Sequence, residues 1–176
     1  SEGDDPNDPA TEALKDAIRH AEANNVLFVA AAGNGHQGVG YDNDNDSKPA
    51  YPASYDMDVI VSVAAIDEAG NLGSFSNWGA RGVDIAAPGV KVFSTVVDNK
   101  YSDTVIDIPG MITATWDGTS MAAPHVSGAA ALYISKNPQA SFRDVKEALI
   151  RSVKKTPQLG SKIVSGGQLD VRALMQ

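Results

Sequence analysis

From Thr119 to Asn137 the chain reads Thr-Ser-Met-Ala-Ala-Pro-His-Val-Ser-Gly-Ala-Ala-Ala-Leu-Tyr-Ile-Ser-Lys-Asn, and a helix of that sequence has no wide polar face. Ala122, Ala123, Val126, Gly128, Ala129, Ala130, Ala131, Leu132 and Ile134 spread around its circumference, the mark of a helix enclosed by other structure. Pro124 has no N–H and is tolerated only near a helix start, where that group would have no intrahelical partner. The helix therefore begins near Thr119, with Ser120 at or just before the first turn. Taken alone, a serine there is an N-cap. The same place, among unpaired N–H groups at the positive end of the helix dipole, also stabilises a developing oxyanion, so it suits a nucleophilic serine.

Upstream, residues 1–7 read as an exposed acidic entry loop, and Asp8-Pro9 as an N-cap followed by a first-turn proline. Ala10, Leu14, Ala17, Ile18 and Ala21 form an amphipathic stripe that carries this helix to about Asn24. Val26 to Ala31 is a short continuous apolar run, as in a parallel strand buried on both faces. It ends in Ala32-Gly33-Asn34-Gly35, a turn at the carboxyl end of a strand, where open α/β sheets gather their ligands. Val59–Ala65, Val83–Val90 and Val92–Val96 read as further strands. Residues 98–115 form an excursion leading back to Ser120, and Ser141 caps a helix whose Phe142, Val145, Ala148 and Leu149 share a face. Alternating helices and buried strands define an α/β class with a mostly parallel sheet. At 176 residues and 43% apolar, the chain fits one unit, 1–176, with a sizeable core. A net charge of −8 argues against nucleic acid or an anionic membrane as partner, no stretch is long and apolar enough to span a bilayer, and the absence of Cys removes disulfides and thiolate metal sites.

Eleven contiguous residues, Gly118-Thr119-Ser120-Met121-Ala122-Ala123-Pro124-His125-Val126-Ser127-Gly128, closely resemble the nucleophile signature of the subtilisin-like serine proteases, the subtilases. Val29-Ala30-Ala31-Ala32-Gly33-Asn34 resembles their oxyanion signature, and the order Asn before Ser is the family's. Phe75-Ser76-Asn77-Trp78-Gly79, Val83 to Val90 with its Ala-Pro-Gly turn, and Gly167-Gln168-Leu169-Asp170-Val171 resemble structural marks of the same family. The resemblance covers nearly the whole chain. It implies a three-layer α/β/α fold, with Ser120 as nucleophile, Asn34 donating its side-chain amide to the oxyanion, and Thr119 supporting that hole. Ala50-Tyr51-Pro52-Ala53 resembles a family segment with a cis bond before the proline. By the same resemblance Ala50 forms the floor of the S1 pocket, and Ala31, Ala32 and Gly33 its wall. A structural calcium site is also implied, for which the Ala53 and Tyr55 carbonyls and Asp84 are the candidates. The acidic loop Tyr41 to Asp46 is no EF-hand, because Ser47 and Ala53 stand where Gly and Glu are required; it reads as a solvated loop or as some other calcium contact.

The family triad runs Asp, His, Ser along the chain, and no histidine or aspartate signature precedes Asn34. His125 lies five residues after Ser120, about 7.5 Å along the helix axis on another face, and reads as a buried structural histidine. His36 is a remote candidate base and His20 a surface residue. The α/β-hydrolase alternative fails because Ala122 stands where its motif needs glycine and no suitable histidine follows Ser120. The resemblance therefore implies the C-terminal portion of a serine endopeptidase domain, with the N-terminal strands missing. Its partners are the N-terminal portion carrying the catalytic Asp and His, peptide or protein substrates, and a propeptide or protein inhibitor. Alone, the 176-residue chain is expected to be unstable and inactive. The alternative is a non-catalytic relative or fragment that binds peptide or protein. Secretion is the family expectation, although some subtilases are intracellular.

Overall fold

A computed structural model describes residues 9–98, 100–108 and 112–176; the entry loop of residues 1–7 lies outside the described residues. Helix α1 (Pro9–Ala23) leads into β1 (Phe28–Ala31), followed by β2 (Ile60–Ile66) and β3 (Ile85–Pro88). Two short hairpins come next, β4 (Ser94–Val96) with β5 (Lys100–Ser102), and β6 (Thr104–Ile108) with β7 (Ile112–Thr115). They fill the excursion before α2 (Thr119–Lys136). Then follow α3 (Phe142–Arg151), β8 (Lys154–Lys155), β9 (Gly167–Gln168) and α4 (Val171–Leu174). The main sheet has the order β1-β2-β3-β9-β8, parallel except for the β8–β9 pair. The strand expected over Val92–Val96 begins only at Ser94.

β2 is buried at every residue, which is why its apolar run shows no alternation. Its two faces serve different layers. Val61, Val63 and Ala65, with Ile85 and Ala87, pack beneath Ala122, Val126, Ala129 and Ala130 of α2 and Val145 and Leu149 of α3. Ala64 and Ile66, with Ala86, face Ala32, Val83, Leu159 and Ile163. A third cluster joins Ile18 of α1 to Ala30, Ala53, Val59, Ile60 and Phe142. The result is a mixed, mostly parallel sheet flanked by helices.

The structure corrects the expected enclosure of α2. Its inner face is buried, but Pro124, His125, Ser127, Gly128, Ala131, Leu132 and Ile134 are exposed, Leu132 at 49% and Ile134 at 41%. A Cβ built on Gly128 would meet nothing within 4 Å. The stripe on α1 behaves likewise: Ile18 is buried, whereas Leu14 is 39% exposed. Apolar residues around the whole of α2 thus coexist with a covering on one side only, and among the described residues β1 has no strand on its outer edge.

Candidate active site

The start of α2 has no cap from its own sequence, since Gly118 occupies the N-cap position and bears no side chain. Asn34, at the end of β1, supplies that cap from 85 residues away. Its Oδ1 accepts from the Thr119 backbone N–H and the Thr119 hydroxyl, both at 2.9 Å. Thr119 Oγ1 in turn accepts from the Gly33 N–H at 3.2 Å. Because the Thr119 N–H can only donate, the amide of Asn34 is oriented, with the oxygen toward the helix and Nδ2 left over. The Ser120 N–H, next in the first turn, has no acceptor among the described residues. The structure thus gathers Asn34, Thr119 and Ser120 at one helix N-terminus. Thr119 is buried at 1% exposure and ties the two signatures together, while Ser120 is exposed. The turn is held from below by Gly89, whose carbonyl accepts from the Gly118 N–H at 2.8 Å. A Cβ on Gly89 would come within 2.8 Å of the Gly118 carbonyl oxygen and 2.6 Å of Ala65 Cβ. This contact gives the Ala-Pro-Gly turn its physical reason.

Beside Asn34 opens a pocket of about 450 Å³ lined by residues that include Ala31, Gly33, Asn34, Ala50, Tyr51 and Asn77. Ala31, Gly33 and Ala50 border it as expected, and the Tyr51–Pro52 bond is cis. Ala32 does not border it; fully buried, it packs into the opposite core with Ala64 and Val83. Gly33 has φ +109°, and a Cβ there would lie 2.8 Å from Ala50 Cβ and 2.5 Å from Asn77 Nδ2. Only glycine fits such a conformation in so tight a place.

Behind the pocket lies a buried amide pair that sequence reasoning passed over. Asn77, fully buried, donates through Nδ2 to Asn43 Oδ1 at 3.0 Å and accepts from the Tyr41 N–H at 3.2 Å, while its own N–H reaches the Gly33 carbonyl at 2.9 Å. Asn43 donates to the Ala32 carbonyl at 2.8 Å, and its Oδ1 accepts from the Ala50 N–H at 3.4 Å. These two side chains tie the backbone of Ala32 and Gly33, after β1, to that of Ala50. Asn77 stands in Phe75-Ser76-Asn77-Trp78-Gly79 and Asn43 in the acidic loop, and a turn-forming Asn and a buried clasp look alike in sequence. The acidic loop is accordingly only partly solvated. Asn43 is inside, Asp42 accepts from the Asp44 N–H and Asn45 side chain, and Asp44 accepts from the Arg81 N–H.

Ser120 faces a second depression of about 420 Å³, with Val92, Phe93, Trp116, Met121, Pro124 and His125 among its lining. No described histidine hydrogen-bonds Ser120. His125 is exposed rather than buried, and its Nδ1 lies 2.9 Å from the Met121 carbonyl one turn back. His36 stacks on Tyr41 at 4.4 Å, and His20 sits near Asn24 on α1. Among the described residues the Ser120 hydroxyl, the Asn34 amide and the Ser120 N–H come together with no histidine beside them.

The calcium candidates fall in a different pocket, lined by residues that include Ala53, Tyr55 and Asp84. Here the Tyr55 carbonyl accepts from the Met57 N–H at 2.9 Å. Asp84 Oδ2 accepts from the Ser62 N–H at 2.8 Å, and Oδ1 lies 3.5 Å from the Lys146 ammonium. Burial pushes the Asp84 carboxyl above the usual carboxylate range, partly opposed by Lys146 and the Ser62 N–H. Two of the three candidates, Asp84 and the Tyr55 carbonyl, are thus already engaged, and an ammonium stands beside Asp84. Among the described residues no cluster of three or more His, Cys, Asp or Glu is placed to hold one.

A serine at a helix N-terminus thus stands with an amide and a backbone N–H beside it and a pocket alongside, on a mostly parallel sheet flanked by helices. Residues 1–167 match the subtilase family, and the chain belongs to it. It is 38% identical over 166 residues to subtilisin DY of Bacillus licheniformis, an alignment covering 93% of this chain and 52% of that protein. It is 37% identical to the major intracellular serine protease of Bacillus subtilis (strain 168), over 77% of this chain and 36% of that one. Among solved structures, the MycP3 protease of the type VII (ESX-3) secretion system superposes with a TM-score of 0.78 at 28% identity, over 93% of this chain and 48% of that one. The chain thus spans about half the length of subtilisin DY. Among the described residues no helix is long and apolar enough to cross a membrane.

Proposed function

We propose that the chain is the nucleophile-bearing part of a serine endopeptidase and that its hydroxyl acts with a histidine and an aspartate supplied by an N-terminal portion of the same domain. The observation that carries this reading is the orientation of Asn34. With Oδ1 committed to Thr119, its Nδ2 and the Ser120 N–H are the two donors available to an oxyanion. Ser120 Oγ attacks the peptide carbonyl and its proton passes to the histidine, while the carbonyl oxygen takes up the negative charge between those donors. Collapse expels the amine, which receives the proton, and leaves an acyl group on Ser120; water, deprotonated by the same histidine, then releases the acid. Ala31, Gly33 and Ala50 border the pocket that takes the substrate side chain. Their small size favours a bulky apolar residue there.

The exposed outer face of α2 supports the second half of the proposal. Leu132, Ile134 and the open space over Gly128 form the surface against which the N-terminal portion packs, bringing its histidine into the depression beside Ser120. Export from the cell belongs to the same proposal; fractionation of the producing cells checks it, since the relatives include one named intracellular. The test of function is fluorophosphonate labelling of the intact protein, followed by mass analysis of the labelled peptide. Label on Ser120, lost in Ser120→Ala, is expected. A folded intact protein that takes no label overturns the proposal in favour of a peptide-binding relative.

A further inference from the structure

The pocket that holds the calcium candidates, about 340 Å³, is entered by Lys146 from α3. Its ammonium donates to the Ile60 carbonyl at 2.5 Å and the Asp58 carbonyl at 3.3 Å, and lies 3.5 Å from Asp84 Oδ1. Two backbone carbonyls and a carboxylate around one positive centre are the oxygen donors a hard cation would seek. We propose that Lys146 is the resident cation of this pocket, its ammonium standing where the family resemblance puts a metal ion, so that these inner oxygens take no metal.

Three features support this. The lysine is delivered by a fixed element, since α3 is anchored by buried Val145 and Leu149 on either side of it. Two of the three candidate groups are already occupied. Asp84 receives the Ser62 N–H on one oxygen and faces the ammonium with the other, and the Tyr55 carbonyl is held by the Met57 N–H. Calcium needs six to eight oxygens at about 2.3–2.6 Å, a set these groups could complete only by giving up their present partners. Three of the four carboxylates at this pocket also have a cationic neighbour without a metal. Asp84 is answered by Lys146, Asp44 lies 3.6 Å from Arg81, and Asp58 lies 3.5 Å from Arg143. Asp56, at the mouth, is exposed. A divalent ion at the inner oxygens would sit against an ammonium unless the lysine swung out. The inference is independent of the serine chemistry.

It is tested on the intact peptidase by comparing thermal unfolding of the wild type, Lys146→Met and Lys146→Arg in chelator-treated buffer and then with rising calcium chloride. Calcium sites elsewhere contribute equally to all three, so only the differences count. K146M is expected to lose stability in cation-free buffer and to gain a saturable calcium-dependent rise in Tm that the wild type lacks. K146R, which keeps the charge, is expected to show no such gain. Identical calcium dependence in the wild type and K146M overturns the proposal. Should K146M fail to fold, wild-type crystals soaked in terbium decide: no anomalous peak within coordination distance of Asp84 is expected, and a peak there with Lys146 displaced overturns it.

Discussion

The two sides of Ser120 are built differently. On one side, Asn34, Thr119, Gly33, Asn77 and Asn43 form a chain of hydrogen bonds running from the helix start to the pocket, with further bonds to Ala32, Tyr41 and Ala50. On the other side the serine looks across Val92, Phe93 and Pro124 to open space, and α2 presents Leu132 and Ile134 to water. On the proposed reading, the groups that stabilise charge are positioned within the described residues, and the group that moves the proton comes from outside them. The lesson concerns folding as much as catalysis. A preorganised anion site needs a rigid, satisfied network, and the residues for it lie at the ends of β1 and β2 and in the turns that follow. A surface meant for another segment needs only apolar side chains and room.

The largest effect that would break this comparison is structural. Produced alone, the 176-residue chain leaves one face of α2 and the outer edge of β1 uncovered, and unpaired edges and apolar patches invite association. We expect no sharp reversible thermal transition from it, and cooperative melting when it is produced together with the preceding portion of the protein, measured by calorimetry on both samples. Equal, reversible transitions would show that the open side needs no cover.

Next in size is Asn34→Ala in the intact peptidase. In subtilisin, loss of the corresponding amide costs about 10²–10³ in kcat, and the same range is expected here, with KM little changed because the donor acts on the transition state. An effect below tenfold would remove Nδ2 from the proposed oxyanion site. Smaller still is Asn77→Ala, which strips Asn43 Oδ1 of a donor and the Tyr41 N–H of an acceptor in a buried place. Breaking a buried pair this way costs about 1–3 kcal/mol of stability per group left unsatisfied. Because Asn77 holds the pocket floor rather than the oxyanion, KM for substrates with a large side chain in the pocket should rise more than kcat falls. A kcat loss as large as that of Asn34→Ala would mean that the two amides act as one unit.

Much of this was legible in the sequence. Buried strands at β1 and β2, the cap at Ser141 and the early position of Pro124 each follow from local chemistry, and the two signatures, one holding Ser120 and the other Asn34, meet at one place. What was hidden is what depends on surroundings. An apolar circumference on α2 predicts enclosure but cannot say which part of a protein encloses it, so Leu132 and His125 were expected inside and lie outside. Asn43 and Asn77 carry the side chain of an ordinary turn former, and only the packing around Gly33 turns them into a clasp. Ala32 was grouped with its neighbours in the pocket wall, yet it is fully buried and joins the core with Ala64 and Val83. Lys146 lies off the apolar stripe of its amphipathic helix, and nothing in the sequence says that its ammonium sits among the carbonyls of residues 58 and 60.

The smallest effect tests the self-contained side at its far end, where α3 begins. Ser141 and Asp144 form a reciprocal cap: the Asp144 N–H donates to Ser141 Oγ, and Asp144 Oδ2 accepts from both the Ser141 hydroxyl and the Ser141 N–H. These two donors, the hydroxyl first, hold the Asp144 carboxyl below its ordinary value, with slight opposition from burial. A carboxylate whose pKa is lower folded than unfolded adds stability that is fully present above the unfolded value, about 3.9, and is lost as pH falls through the lower folded value. The carboxylate is exposed, so the contribution is small. The Tm difference between the wild type and Asp144→Ala should therefore be constant from neutral pH down to about pH 5 and shrink in more acid solution, because protonation removes from the wild type what the substitution removes from the variant. Carbon NMR of the Asp144 carboxyl checks the cause directly: a titration midpoint at or above that of an unfolded aspartate would remove the cap as its source. Since every partner in this cap lies within α3 and its first turn, the effect should be indifferent to whatever covers α2, in contrast to the first experiment, where that covering decides the outcome.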